Sequence, residues 1–519
     1  MITATVTEDG RFIQLSTDVP MEYNQMQLSF KRKIANWYFN PLVRKKLWTG
    51  EIKFIDRYNR IPVGLWYELK RNCKDYDIEL EITNEEALTD TKINYEDYEK
   101  WVWDFFKDDQ TYGKGGKKEI RDYQISATYN ILKAKRSCSE IATSAGKTLM
   151  IYLVLAYLLD RNISKRCVIV VPNTNLIMQT MEDFEDYNSG DKIEDFIVQG
   201  IHAGTSKLKT NAQVVIGTFQ SLSKLPKEWY EDVDVVCVDE AHYTNCKSVK
   251  DVITKCCNLE YAFGLSGTLK KDIKSADHYS LQSYLGPFVN DIAADFLIKN
   301  DYATAVFIKV VQLDYMRDDI REKLAELQKK KQQIEGSKLL ALEKKLVQEN
   351  RTRFNFICDF ISKSSKNSLV LFSDIKGKYG RKIYDWLQEN TDKNVYYVDG
   401  STDVKMRDDY FNNMRENDNC ILVASYGTLS TGVSINQIYN IYFVESYKSD
   451  KIIRQSIGRG MRKQDGKDRV TIIDFVDDFS WKGVKNYLLK HGEERMKTYQ
   501  DQNFPFKLFK VNLKNKSLF

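Results

Sequence analysis

The sequence predicts an α/β protein built on two tandem parallel-sheet domains, with a small N-terminal α+β domain before them and a short C-terminal extension after them. Three observations carry that prediction. From Ile120 onward, short apolar runs alternate with long helical patterns, the texture of a parallel sheet covered by helices. These runs form two sets, each spanning roughly 170 residues, with a charged segment from Arg317 to Glu349 between them. At 519 residues the chain is also too long for one hydrophobic core. The predicted boundaries are 1–98, 105–292, 293–480 and 481–519.

Taken in order, the first hundred residues read as short strand-like pieces broken at Gly10, Pro20, Gly50 and Gly64. Cations and aromatics interleave from Lys31 to Arg71, with Lys45, Lys46 and Arg57 near Trp37, Tyr38, Phe39 and Trp48. Such a surface suits a nucleic acid, and it also reads as a solvated basic rim over a small core. An acidic connector begins at Glu79, and the glycine- and lysine-rich stretch 112–118 reads as a loop. The first set of strands is expected at Cys138–Ala142, Val168–Val171, Gln213–Gly217, Val233–Val238 and Ala262–Ser266, with a buried helix from Leu149 to Leu159. The second set is expected at Ser368–Phe372, Val395–Val398, Cys420–Ala424, Ile441–Val444 and Val470–Ile473. Between the sets, Arg317 to Glu349 reads as an amphipathic, solvated helical hairpin interrupted near Gly336. The final residues mix aromatics and lysines, leaving both packing and substrate contact open.

Composition narrows the class. Apolar residues at 42% and charged residues at 29% exclude a disordered chain. A net charge of +5 requires any nucleic-acid binding to come from local patches. Nine cysteines without a repeated C-x-x-C spacing, and only four histidines, argue against structural zinc and for a reducing, cytoplasmic setting. With no basic-then-apolar leader and no bilayer-length apolar run, no membrane partner is expected.

Three motifs carry chemistry. In Ala142-Thr143-Ser144-Ala145-Gly146-Lys147-Thr148, a turn between strand and helix offers backbone N–H groups to an anion. Lys147 can reach the β- and γ-phosphates, and the Thr148 hydroxyl can ligate Mg²⁺. Ile141 stands where the strict pattern has its first glycine. The run Val235 to His242 is an apolar strand ending in Asp239 and Glu240. There Asp239 can hold Mg²⁺ through water and Glu240 can polarise the attacking water. Their spacing from Lys147 fits neighbouring strands of one sheet. In Gln455-Ser456-Ile457-Gly458-Arg459-Gly460-Met461-Arg462, two arginines three apart share one face of a helix and can meet a transferring γ-phosphate. Each motif alone has a structural reading, as a coincidental loop, a strand end or a basic helix. Together they point to ATP and Mg²⁺ as cofactors.

The set from Arg121 to Arg462 resembles the motifs of the superfamily-2 helicases and translocases, including a DEAH-box. That resemblance implies two RecA-like domains and assigns the remaining roles. Arg121 and Gln124 would read adenine, Thr143 to Thr148 would hold the phosphates, and Gly432 would link strand contacts to the nucleotide. Lys147, Asp239, Glu240, Gln455, Arg459 and Arg462 would be catalytic. Pro172, Thr174, Thr218, Gln220, Ser373, Gly400 and Thr428 would grip the nucleic-acid backbone, where contacts carry little sequence information. Ser266-Gly267-Thr268 stands where the family couples hydrolysis to movement, with glycine in place of the commoner alanine.

Asn40-Pro41, Trp48-Thr49-Gly50, Asp56, Pro62-Val63-Gly64-Leu65 and Asn486 to Gly492 further resemble the UvsW-type helicases of T-even-like phages. This narrower likeness implies a DNA helicase working on Holliday junctions, stalled forks, D-loops and R-loops in recombination, replication and repair. It would be a monomer in the host cytoplasm, with a single-stranded-DNA-binding protein as accessory partner. Two other readings stay open. One is an RNA helicase or restriction-type duplex translocase; the other is a nucleotide-switched nucleic-acid-binding assembly protein that unwinds nothing.

Overall fold

The computed structural model describes residues 1–106, 120–189, 192–193, 196–205, 210–269, 272, 274–329, 336–373, 378–429, 437–464 and 466–514. The loop read at 112–118 lies outside them. Contacts divide the chain into two units: Met1–Ile141 with Gly146–Ile292, and Ala142–Ala145 with Ala293–Phe519.

The N-terminal region holds strands β1 (Ile2–Val6), β2 (Phe12–Ser16), β3 (Lys31–Lys33), β4 (Glu51–Lys53), β5 (Arg60–Pro62) and β6 (Leu80–Thr83). Four of them form a sheet in the order β5-β2-β1-β6, and β3 pairs with β4. Alternation along β1 turns Ile2, Ala4 and Val6 inward, towards the helix Trp66–Asp75 and its buried Leu69 and Cys73. This core is completed by a residue from far along the chain. Tyr279, on the helix Ala276–Leu285, puts its buried ring 6.0 Å from that of Phe30 and 5.4 Å from that of Phe54, with the Arg32 guanidinium 4.0 Å above it. Its hydroxyl donates to Glu68 Oε2 at 3.3 Å. Gly64 meets the same helix so closely that a Cβ would stand 1.9 Å from the Gln282 carbonyl oxygen. The N-terminal region is thereby built into the first unit.

The rest of that unit is a seven-stranded sheet of β7 (Arg136–Ile141), β8 (Cys167–Val171), β9 (Val198–Ile201), β10 (Val214–Thr218), β11 (Val235–Asp239), β12 (Tyr261–Ser266) and β13 (Phe288–Ile292). Its order is β13-β7-β12-β11-β8-β10-β9, with every pair parallel. The helix Lys147–Asp160 is apolar all round and buried without a break from Leu149 to Ala156, as a helix inside a large core must be.

The second unit repeats the plan with β14 (Ala305–Asp314), β15 (Ser368–Phe372), β16 (Asn394–Val398), β17 (Cys420–Ser425), β18 (Asn440–Phe443), β19 (Arg469–Asp477) and β20 (Phe506–Asn512), in the order β16-β17-β15-β18-β19-β14-β20. Every strand read from an apolar run is present, with ends shifted by at most two residues except in β19, which runs four residues past the expected Ile473. Strands β9, β13, β14 and β20 were not legible. β20 is a largely exposed edge strand with two lysines, and what makes it a strand is its parallel register with β14.

The expected amphipathic helical hairpin is present, but one face of it is packed rather than solvated. Its helices Asp318–Lys329 and Gly336–Glu349 bury Leu324, Leu339 and Val347 in the core of the second sheet. Glu343 is 1% exposed and accepts the Tyr487 and Leu488 N–H groups at 3.0 Å each, satisfying orphan donors at the start of the helix Tyr487–Asp501. A carboxylate cap chosen by a distant helix leaves no trace in hydropathy.

Two wholly buried ion pairs fasten helices to β19. Arg353 grips Asp477 at 2.6 and 3.1 Å, with Tyr315 also donating to that carboxylate. Arg495 grips Asp474 at 2.8 and 2.9 Å, with Tyr499 as third donor. Removing one partner leaves the other charge uncompensated in the core. Arg353→Ala should therefore cost about 3–5 kcal/mol, read as a lowered midpoint in urea denaturation.

Candidate functional site

In the first sheet, β12 pairs with β7 on one side and β11 on the other. The strands carrying Lys147 and Asp239 are therefore not neighbours, as their spacing suggested, but stand one strand apart. Close packing around Gly264 on β12 accommodates this, since a Cβ there would lie 2.7 Å from Ala241 Cβ and 2.5 Å from Leu285 Cδ1. The consequence is that Ser266, at the end of β12, lies between the other two motifs.

The phosphate-type loop leaves β7 and turns through two left-handed residues, Ser144 (φ 75°) and Gly146 (φ 85°), before the helix begins at Lys147. Such a path presents consecutive N–H groups to one side. Gly146 is required by contact as well as by conformation, because a Cβ would stand 2.4 Å from the Gln124 amide nitrogen. Gln124 is itself buried, and its Oε1 accepts the Arg121 N–H at 3.0 Å. The adenine-type element and the phosphate-type loop are thus in contact through this amide.

Across from the loop, Lys147 Nζ lies 3.9 Å from Glu240 Oε1. Glu240 is left-handed (φ 59°) and its Oε2 accepts the Ser266 hydroxyl at 3.1 Å. His242 Nδ1 stands 2.8 Å from Ser266 Oγ and 3.2 Å from Glu240 Oε2, while its buried Nε2 has no hydrogen-bond partner among the described residues. Motif reading assigned no role to His242; the geometry makes it a support for Glu240. Asp239 accepts the Glu240 N–H at 2.9 Å. Burial, and then the Glu240 charge, push its carboxyl up to about 6 against the pull of Lys147. A carboxylate so disfavoured gains from a cation, and with the Thr148 hydroxyl it makes the hard-oxygen donor set that Mg²⁺ takes. The residues fit that ion.

In the second unit, Gln455 and Arg459 stand four apart on the helix Asp450–Gly460. Arg462 does not continue their face, which corrects the one-helix expectation. The helix ends at Gly460, whose Cβ would meet Val470 at 2.7 Å and Ile441 at 3.0 Å. Arg462 follows in a turn pinned by its own carbonyl, which accepts Thr304 Oγ1 at 3.0 Å and Lys467 Nζ at 3.2 Å. Lys467 also donates to the Gly460 carbonyl at 2.6 Å, and burial lowers its ammonium to about 7.

The backbone-gripping candidates sit at carboxyl ends of adjacent strands: Pro172 and Thr174 after β8, Thr218 and Gln220 at β10, then Gly400, Thr428 and Ser373 after β16, β17 and β15. Their exposures differ. Thr174, Gln220 and Gly400 face solvent, whereas Thr218 and Thr428 are buried. Thr218 Oγ1 accepts the Ser221 N–H, and the Thr428 hydroxyl pairs with Ser425 Oγ at 2.6 Å. The Ser373 amide and hydroxyl both donate to Glu445, a carboxylate that disfavours a phosphate there. Lys45, Lys46 and Arg57 are exposed. Gly432 lies outside the described residues.

Comparison with known proteins decides the family. The model described as "Type III restriction enzyme, res subunit" matches residues 117–271, and "Helicase conserved C-terminal domain" matches residues 352–464. The ATP-dependent DNA helicase uvsW of Enterobacteria phage T4 is 30% identical over 518 residues, covering 95% of this chain and 96% of that protein. The chain belongs to the UvsW family of superfamily-2 helicases. The crystal structure of T4 UvsW matches this UvsW-type fold with a TM-score of 0.50 at 27% identity, covering 99% of each chain. The DNA 3'-5' translocase XPB2 of Sulfurisphaera tokodaii is 21% identical over 478 residues, covering 87% of this chain and 98% of that protein. As a UvsW-type enzyme the chain is an ATP-dependent, ATP-hydrolysing helicase. Among the described residues, no helix is long and apolar enough to cross a membrane.

Gly146→Ala is expected to lower ATP hydrolysis on the order of a hundredfold, because loop conformation and the Gln124 contact fail together. Steady-state ATPase assays check the loss, and a thermal melt close to that of the parent protein shows that the fold survives.

Proposed function

We propose that this UvsW-type helicase spends ATP on branched DNA, unwinding and branch-migrating Holliday junctions, stalled forks, D-loops and R-loops. The observation that carries the ATP-hydrolysing half of the reading is Glu240 held by Lys147, Ser266 and His242 at the ends of three adjacent strands, and the likeness to the uvsW DNA helicase supports the DNA substrate. A carboxylate so fixed is suited to orienting a water for in-line attack. Lys147 and the loop amides from Thr143 to Thr148 bind the β- and γ-phosphates, while Arg121 and Gln124 hold the base. Asp239 and Thr148 would hold Mg²⁺, which would neutralise charge on the phosphates. Gln455, Arg459 and Arg462 act on the transferring phosphate, the arginines as fingers stabilising charge that develops only in the transition state.

Pro172, Thr174, Gln220 and Gly400 mark the path of the nucleic-acid backbone, with the strand ends that Thr218, Thr428 and Ser373 brace lying behind it. Lys45, Lys46 and Arg57 add phosphate contacts outside it. Gly432 couples that path to the nucleotide. The working form is a monomer in the host cytoplasm, with a single-stranded-DNA-binding protein as accessory.

Strand displacement on a four-way junction, a fork and an R-loop tests the substrate, with DNA-stimulated turnover expected on each. The match to a restriction-enzyme subunit favours duplex translocation as the second reading. That reading predicts displacement of a triplex strand without branch unwinding. Lys147→Ala should abolish hydrolysis, and Glu240→Gln should bind ATP without splitting it; normal turnover in Glu240→Gln would remove Glu240 from its role. Arg459→Ala should lower kcat by about a hundredfold or more with little change in KM. Replacing Lys45, Lys46 and Arg57 with Ala should weaken DNA binding and flatten its dependence on salt, measured by titration across salt concentrations.

A further inference from the structure

Between β3 and β4 the chain forms a projection whose construction is unlike a solvated loop. It turns through left-handed Asn36 into the short helix Trp37–Phe39, then through Asn40, whose side chain caps the helix Pro41–Arg44, and left-handed Lys46 returns it to Gly50. Its base is fastened. The Ile34 N–H donates to the Gly50 carbonyl at 3.0 Å, Lys33 Nζ lies 4.2 Å over the Trp37 ring, and Trp48 Nε1 donates to the Glu51 carbonyl at 3.1 Å. Gly50 (φ 78°) admits the Trp37 ring, since a Cβ would stand 2.7 Å from Trp37 Cβ.

This fastened segment holds its largest apolar groups out to water. Tyr38, Phe39 and Leu42 are each more than half exposed, and Leu47 is 73% exposed. The two rings lie 4.5 Å apart between centroids, tilted by 46°. A preformed exposed apolar cluster of this kind marks a binding surface. Charge selects the occupant. Residues 31–50 hold six cations and no acidic residue, and the Arg44 guanidinium lies 5.5 Å from the Phe39 ring. Flat rings among these cations suit a polyanion that carries flat faces, which is unpaired nucleic acid.

We propose that this projection is a base-stacking site for the unpaired strand at a DNA branch. Tyr38 and Phe39 take bases on their faces, Leu42 and Leu47 pack against the base edges, and Arg44, Lys45 and Lys46 hold the flanking phosphates. The proposal rests on the branched-DNA reading above and adds to it the place where unpaired bases are held, beyond the phosphate contacts of the basic residues.

The test uses full-length protein and a fork carrying 2-aminopurine at its first unpaired positions. Wild type should change the probe's fluorescence on binding. Tyr38→Ala/Phe39→Ala should abolish that change and weaken fork and single-strand binding by about 10- to 100-fold, with duplex binding held within about twofold. Tyr38→Trp/Phe39→Trp should retain both signals, separating ring stacking from loss of fold. Unaltered fork affinity and fluorescence in Tyr38→Ala/Phe39→Ala would overturn the proposal and leave the patch to a protein partner. A wild type that perturbs the probe but displaces no strand from any branched substrate sinks the motor reading while supporting the stacking site.

Discussion

Glu240 is the point on which the motor half of the structure depends. A left-handed backbone carries it off the end of β11, and three side chains from different elements converge on its carboxylate. Each partner is aimed by a strand or a rigid turn, so the group is oriented before any substrate arrives, and preorganisation of this kind lowers a barrier without reorganisation during reaction. The convergence requires β12 to run between β7 and β11, and close packing at Gly264 accommodates that order. The buried, disfavoured Asp239 charge beside Glu240 is the cost of placing two carboxylates at one sheet edge. A cation is the natural remedy.

Similar economy appears away from the site. The N-terminal region shares its core with Tyr279 and abuts the backbone at Gln282 through Gly64. Its basic, aromatic projection is thus carried by the same unit as Lys147, Asp239 and Glu240. In the second unit, Arg353 and Arg495 hold two helices against β19 with fully buried pairs, and Glu343 caps the helix that leads into β20. Neither the hairpin from Asp318 nor the C-terminal strand is an appendage.

Much of the site was legible because its chemistry needs particular residues in short order. Gly146-Lys147-Thr148, Asp239-Glu240 and Arg459 stand as motifs, and the apolar strands that carry them announce themselves by hydropathy. What stayed hidden depends on partners distant in sequence. Both donors of Ser373 go to Glu445, a carboxylate far along the chain. Arg462 looked helical until packing around Gly460 ended the helix before it. His242 stood inside a recognised motif, yet its contact with Ser266 arises only because β12 is the neighbour of β11.

The sequence by itself determined the α/β class, the two repeated sheets, most of their central strands and the residue types of an ATP-hydrolysing helicase. Those features follow from local periodicity and from motifs a few residues long. Tertiary structure alone decided the strand order, the partners of Glu240, the sharing of the N-terminal core and the burial of the hairpin. It also separated side chains that face solvent, such as Tyr38, Phe39 and Gln220, from those already held by the protein, such as Thr218 and Ser373. The physical reason is that contact between distant segments is set by packing and hydrogen-bond register, and neither leaves a periodic signal along the chain.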